Sequence, residues 1–301
     1  MGTDMNRGSL LAVSACAWLC AMNTAVAGAK SPHEAPQISH AAEIAAQREA
    51  LAHDTEGRGF GPQSPRDIDA KLGANPIIFS PAPRYPRMNL CNIHFHKNAE
   101  HKGGEFTRYA GDGDGHGYGT GYQYTGKLSA RELAPIERGV CPGPHGALYP
   151  GDTIETHYVH STAQVHPDPT LSACLSGGKV DNGVNNNPQL RVEAQVYVLV
   201  NDAAALDFKE LTASAQYDGH YHALHIPDDT GAPVEYSGST TGPGYNEHGS
   251  PFEVTWRVRP KVAKVNIHTL GAWCERNVYR ERYAHGVRNL ITNPALLAPI
   301  E

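Results

Sequence analysis

The 301-residue chain has no basic cluster, and its charged content is ordinary for a soluble globular protein. Asp, Glu, Lys and Arg make up 19% of it and the net charge is -6, which argues against nucleic acid as a partner. None of its six cysteines forms a Cys-x-x-Cys pair, so a cysteine-rich structural zinc site is not expected. The apolar stretch at residues 10–22 is too short for a comfortable membrane span, which needs roughly 20 residues. No internal repeat and no clean linker divides the chain. Long helical patterns are scarce, while turn formers abound, with 31 Gly and 22 Pro. Histidine is plentiful at 17 residues, and neutral imidazoles can serve as metal ligands or proton carriers.

Residues 1–27 have the pattern of a cleaved secretory signal. Arg7 supplies positive charge, residues 10–22 are apolar, and Ala25-Val26-Ala27 is a small-residue cleavage site. The expectation is a secreted protein, periplasmic or extracellular, with no stable membrane insertion after cleavage. That compartment is oxidising. Cys16 and Cys20 leave with the signal, and Cys91, Cys141, Cys174 and Cys274 form an even set. Two disulfides are expected, with three pairings open. The oligomeric state is not legible.

Residues 28–56 form an N-terminal segment, with an amphipathic surface helix possible at 41–53. Residues 57–301 are expected to fold as one catalytic domain. Strands are expected at 90–96, 153–160, 188–200, 252–258 and 263–270. The third alternates Leu190, Val192, Ala194, Val196, Val198 and Val200 with polar neighbours, the mark of a half-buried antiparallel strand. The loop around Gly111-Asp112-Gly113-Asp114-Gly115 resembles a calcium loop only loosely, lacking the closing Glu. The fold class is mainly β (α+β), a single domain around a large, mostly antiparallel twisted sheet with short peripheral helices.

The chemistry gathers on two of these strands. In Asn92-Ile93-His94-Phe95-His96, alternation sends Asn92, His94 and His96 to one face. Two imidazoles two residues apart can bind one metal ion, and the best third ligand is His157 in Glu155-Thr156-His157-Tyr158-Val159-His160. Three neutral His leave a fourth position for water, the pattern of a catalytic zinc site. Zinc is the first choice, one ion per chain, with cobalt a possible substitute. Glu155 and Asn92 each precede a ligand by two residues and can orient an imidazole from behind.

These residues resemble the zinc-site strands of α-class carbonic anhydrases. Further segments follow in family order: Gln63-Ser64-Pro65, Gly238-Ser239-Thr240-Thr241 and Val254-Thr255-Trp256. The wording Cys-Asn-Ile-His-Phe-His-Lys-Asn-Ala-Glu-His is most similar to the δ class. The resemblance implies reversible hydration of CO2 to bicarbonate and a proton by zinc-bound hydroxide. It implies His94, His96 and His157 as ligands and Glu155 as the partner of His157. It further implies Thr240 as the hydroxide partner, bonded to Glu100, with Thr241 on the polar wall and Val159 and Trp256 on the apolar wall. The turn is one residue shorter than the family's, which leaves Thr240 and Thr241 competing for one role. His101, His116, His160 and His166 are candidate proton relays.

Two other readings compete. His94-x-His96-x-x-x-Glu100 also matches a cupin metal motif, in which Glu100 is itself a ligand. A non-catalytic zinc- or carbohydrate-binding periplasmic protein is the third.

Overall fold

The computed structural model describes residues 1, 39–163, 174 and 188–301, and the backbone of 179–181 and 184–186. Residues 2–38, which carry nearly all of the expected signal, and His166 lie outside the described residues. The chain divides into Met1–Lys30 and Ser31–Glu301, and all that follows concerns the second unit.

Helix α1 runs Ala41–Thr55 through Ala-rich sequence. It buries Ile44, Gln47, Leu51 and Thr55, a single face at helical spacing. Gln47 fixes its docking: Nε2 donates to the Gly115 carbonyl at 2.8 Å and Oε1 accepts from Asn289 Nδ2 at 2.7 Å.

The core is a six-stranded mixed sheet. Its strands are β1 (Asn89–Lys97), β2 (Thr153–Ser161), β3 (Leu190–Val200), β4 (Val234–Ser239), β5 (Glu253–Val258) and β6 (Ala263–Asn266). The order is β1-β2-β3-β5-β4, and β6 also pairs with β3. Pairing is antiparallel for β1–β2, β2–β3 and β4–β5. It is parallel where β3 meets β5 and, farther along, β6.

Strand β3 differs from its expected half-buried state, since all eleven of its residues are buried. One face puts Val192 and Val196 into an apolar cluster with Val159 and Trp256. The other face keeps its polar residues because each finds a partner. Glu193 meets Arg257 at 3.2 Å and Arg259 at 3.0 Å, and Arg191 meets Glu235 at 2.9 Å. Paired charges and satisfied hydrogen bonds make such burial tolerable.

The expected strand at 263–270 stops at Asn266 and turns into helix α2 (Ile267–Glu275). The Asn266 side chain caps this helix by accepting from the His268 N–H at 3.1 Å. Ile267, Leu270, Trp273 and Cys274 form its buried side. A disulfide joins Cys274 to Cys141, and a second joins Cys91 to Cys174. Cys91 occupies a register shift in β1: Leu90 pairs with His160, whereas Asn92 pairs with Val159. The bulge sends Leu90 to the core behind the sheet and keeps Asn92 on the face of the histidines.

Candidate metal centre

Register builds the site. His94 lies opposite His157, and His96 opposite Glu155, so all four side chains share one face of the β1–β2 pair. Ring centroids are 5.1 Å apart for His94–His96, 5.1 Å for His94–His157 and 4.7 Å for His96–His157. Each ring offers a nitrogen within 4.8 Å of the others, and the three residues are buried and can hold one metal ion.

Each imidazole is held from behind by a different acceptor. His94 Nδ1 lies 2.6 Å from Asn92 Oδ1, and His96 Nδ1 lies 3.0 Å from the Gly286 carbonyl. His157 Nε2 lies 3.0 Å from Glu155 Oε1. A ring nitrogen that donates backward leaves its opposite nitrogen as a lone-pair donor. That leaves Nε2 of His94, Nε2 of His96 and Nδ1 of His157. The Nε2 of His96 is a buried atom with no hydrogen-bond partner among the described residues. A buried nitrogen left without a partner is costly unless something occupies the site, so the donor set fits a cation. Burial lowers the pKa of all three, that of His96 to about 3, and neighbouring imidazoles lower His94 further. The rings are therefore neutral, as ligation requires.

Glu155 anchors a buried network. Oε1 also lies 2.6 Å from His101 Nδ1, and Oε2 accepts the N–H groups of Glu100 at 2.7 Å and His101 at 3.1 Å. Burial alone would raise its pKa, but His101 and His157 hold it well below the usual carboxylate range. His101 Nε2 reaches Tyr236 Oη at 2.7 Å, and that hydroxyl donates to Ser64 Oγ at 3.1 Å. His101 is thus a strut with both nitrogens engaged, not a relay to solvent. His160 is buried on the opposite face, and its pKa is lowered to about 3 by burial. His116 lies at the surface beside Glu43, 3.5 Å away.

Glu100 is buried, and burial raises its pKa. Its Oε1 accepts the Arg288 N–H at 2.9 Å and lies 3.7 Å from His96 Nδ1, the nitrogen that faces away from the metal position. A cupin-type ligand would have to reach the front of that ring.

The two threonines that compete for one role have different surroundings. Thr240 Oγ1 shares a 2.7 Å hydrogen bond with Ser250 Oγ. Thr241 lies near enough to Glu100 to lower its pKa slightly against the effect of burial, but Glu100 Oε2 has no hydrogen-bond partner among the described residues. The end of β4 fixes Thr240. Ser239 is clamped by its N–H to Ser64 Oγ at 3.1 Å, and the Thr240 N–H donates to the Phe252 carbonyl at 3.1 Å. Thr240 is thus tied to the β5 side, and Gly242 at φ 110° carries the chain onward.

Val159 and Trp256 pack in one apolar cluster with Val192, which pairs in register with both. Trp256 is locked by Nε1 donating to the Ser239 carbonyl at 2.9 Å, with its ring 5.0 Å from His157. Sequence reasoning missed three contributors near the C-terminus. Gly286 supplies the carbonyl behind His96. Arg288 is buried and donates to the Ser64 carbonyl at 2.7 Å and to Gln63 Oε1 at 3.2 Å. The His285 ring lies 5.1 Å from His94, its side chain 43% exposed and its Nε2 2.7 Å from Glu281 Oε2. No motif marks this stretch. The backbone hydrogen bond from the His285 N–H to the Phe95 carbonyl, 2.9 Å long, brings it there.

Three neutral nitrogen donors, with no fourth ligand grouped with them among the described residues, make a site of the three-histidine kind on a mixed β sheet. A family model described as Delta carbonic anhydrase matches residues 85–269, more than half of the chain. The chain belongs to the delta carbonic anhydrase family and is an enzyme, a carbonic anhydrase. No curated protein matches it. Among solved structures it is similar to the alpha-carbonic anhydrase of Thermovibrio ammonificans in complex with the inhibitor sulfanilamide, at 17% identity over 74% of this chain and 83% of that one, TM-score 0.24. It is also similar to the Photobacterium profundum alpha-carbonic anhydrase, at 17% identity over 83% and 92%, TM-score 0.26.

Proposed function

We propose that His94, His96 and His157 hold one Zn2+ ion and that the enzyme catalyses reversible hydration of CO2 to bicarbonate and a proton. The observation that carries this reading is the buried, unpartnered Nε2 of His96, on a ring whose other nitrogen is already engaged. Three imidazoles and an open position suit zinc, and Co2+ can substitute. When bound, the ion supplies a Lewis acid that acidifies a coordinated water.

The chain's own residues do the rest. Asn92, the Gly286 carbonyl and Glu155 fix the tautomer and tilt of each ring. Glu100 is held by the Arg288 N–H, and its unpartnered Oε2 is the acceptor we assign to the Thr241 hydroxyl. That donation would leave the Thr241 oxygen free to accept from a water at the metal position. Val159, Val192 and Trp256 offer an uncharged wall to CO2, which needs no polar partner. A cupin-type metal enzyme gains no support, since Glu100 lies behind His96, and nothing favours a non-catalytic binding protein.

We also read residues 1–27 as a cleaved signal, 28–56 as an N-terminal segment and 57–301 as the catalytic domain of a periplasmic or extracellular protein. Two disulfides agree with that location, and no described helix is long and apolar enough to cross a membrane. Stopped-flow CO2 hydration tests the central reading. Zinc-loaded enzyme should turn over, and His157→Ala should lose both zinc and activity. Zinc-independent hydration, or none at all, would sink it.

A further inference from the structure

A cavity of about 470 Å3 lies outside the metal centre and shares no lining residue with it. Its size falls within the range of roughly 300–1,000 Å3 typical of small-molecule sites. Its walls include Phe60, Phe79 and Phe252, three of the six phenylalanines in the chain. The other three, Phe95, Phe106 and Phe208, are fully buried, whereas these are only half-buried. Gathering three half-exposed rings around one opening leaves apolar surface in water, which folding alone does not favour.

The rings are held in place before any ligand arrives. Phe79 lies across the backbone of Gly61, where any Cβ would collide with the ring. Phe60 packs on Gly249, where a Cβ would come within 2.6 Å of it. The walls thus do not depend on a ligand to assemble them.

Two charged residues complete the lining, and they are not equivalent. Arg58 is already paired, its Nη1 3.0 Å from Asp54 Oδ1. Glu253 has no hydrogen bond or ion pair from its side chain among the described residues. Burial raises its pKa and no neighbouring cation opposes the shift. The free charge at the opening is therefore negative, beside aromatic faces that are themselves negative at their centres.

We propose that this cavity is a second ligand site, for a small organic ammonium with an aromatic or alkyl body. The body packs among Phe60, Phe79 and Phe252, and the ammonium meets Glu253 and the ring faces. An anion would find only a guanidinium already engaged by Asp54. The site is independent of the metal reading, and either can fail without the other.

Isothermal titration of the zinc-loaded, full-length enzyme tests this with three probes of one shape: 2-phenylethylammonium, neutral 2-phenylethanol and phenylacetate. The ammonium should bind one to one and tightest, and phenylacetate weakest. Glu253→Gln changes charge without volume and should weaken the ammonium about 5- to 10-fold while leaving 2-phenylethanol unaffected. Phe79→Ala should weaken both. Equal affinity for the three probes in binding that Phe79→Ala weakens, phenylacetate binding tighter than the ammonium and weakened by Phe79→Ala, ammonium binding unchanged by Glu253→Gln, or no binding up to about 10 mM would each overturn the proposal.

Discussion

Thr240 is bonded through Oγ1 to Ser250 Oγ at 2.7 Å, and Thr241 is the threonine we assign to Glu100. The two neighbours therefore have different work. Thr241→Ala should lower kcat/KM about 100-fold, the scale for losing one preorganised hydrogen bond at a reacting oxygen. Thr240→Ala should cost activity far less, with most of its effect on stability. Steady-state CO2 hydration by both variants decides the matter, and a larger loss in Thr240→Ala would reverse the assignment.

Glu155 holds His157, His101 and two backbone N–H groups at once. Glu155→Ala should weaken zinc binding about 10- to 100-fold by freeing the imidazole and lowering its basicity. Asn92→Ala should weaken it in the same direction through His94. Competition against a chelator of known affinity measures both, and unchanged zinc affinity in Glu155→Ala would remove it from the metal centre.

Acid should destabilise the metal-free protein from the histidines first. His160 and His96 have folded pKa values lowered by burial to about 3, against about 6.5 in an unfolded chain. Between these values the unfolded state binds the proton and the folded state does not, so stability falls as pH falls from about 6.5 toward 3. At pH 5 each group accounts for up to about 2 kcal/mol. Glu155 adds a loss at lower pH. Its folded pKa is depressed, so its contribution is complete above the unfolded value of about 4.3 and fades below it. Urea unfolding of apoenzyme at pH 8 and pH 5 should show the decline. His160→Gln, which touches no ligand, should make it shallower, and an unaltered pH slope in that variant would contradict the neutral burial of His160.

The disulfides close loops of 83 and 133 residues. Replacing either pair by alanine should cost about 2–5 kcal/mol of stability. Cys91→Ala/Cys174→Ala should also loosen β1 next to Asn92, so zinc affinity should fall in that variant more than in Cys141→Ala/Cys274→Ala. A non-reduced peptide digest analysed by mass spectrometry should recover Cys91 linked to Cys174 and Cys141 linked to Cys274. Any other pairing contradicts the fold.

What the sequence determined by itself is the content of single strands. Alternation at period two put Asn92, His94 and His96 on one face and Glu155 and His157 on one face, because side-chain direction in a strand is a local property. It also exposed the strand β3, though not its complete burial. Whether a polar face meets water or a buried partner depends on Arg257, Arg259 and Glu235, which arrive from β4, β5 and the residue after β5. The tertiary structure alone decided the disulfide pairing, the tie of Thr240 to Ser250, and the approach of Gly286 and Arg288 to the centre. Each joins residues far apart in the chain through backbone register or packing. His96 and the Gly286 carbonyl are 190 positions apart and meet at 3.0 Å. No local pattern encodes that meeting, because it depends on where the C-terminal segment lies after the sheet has formed.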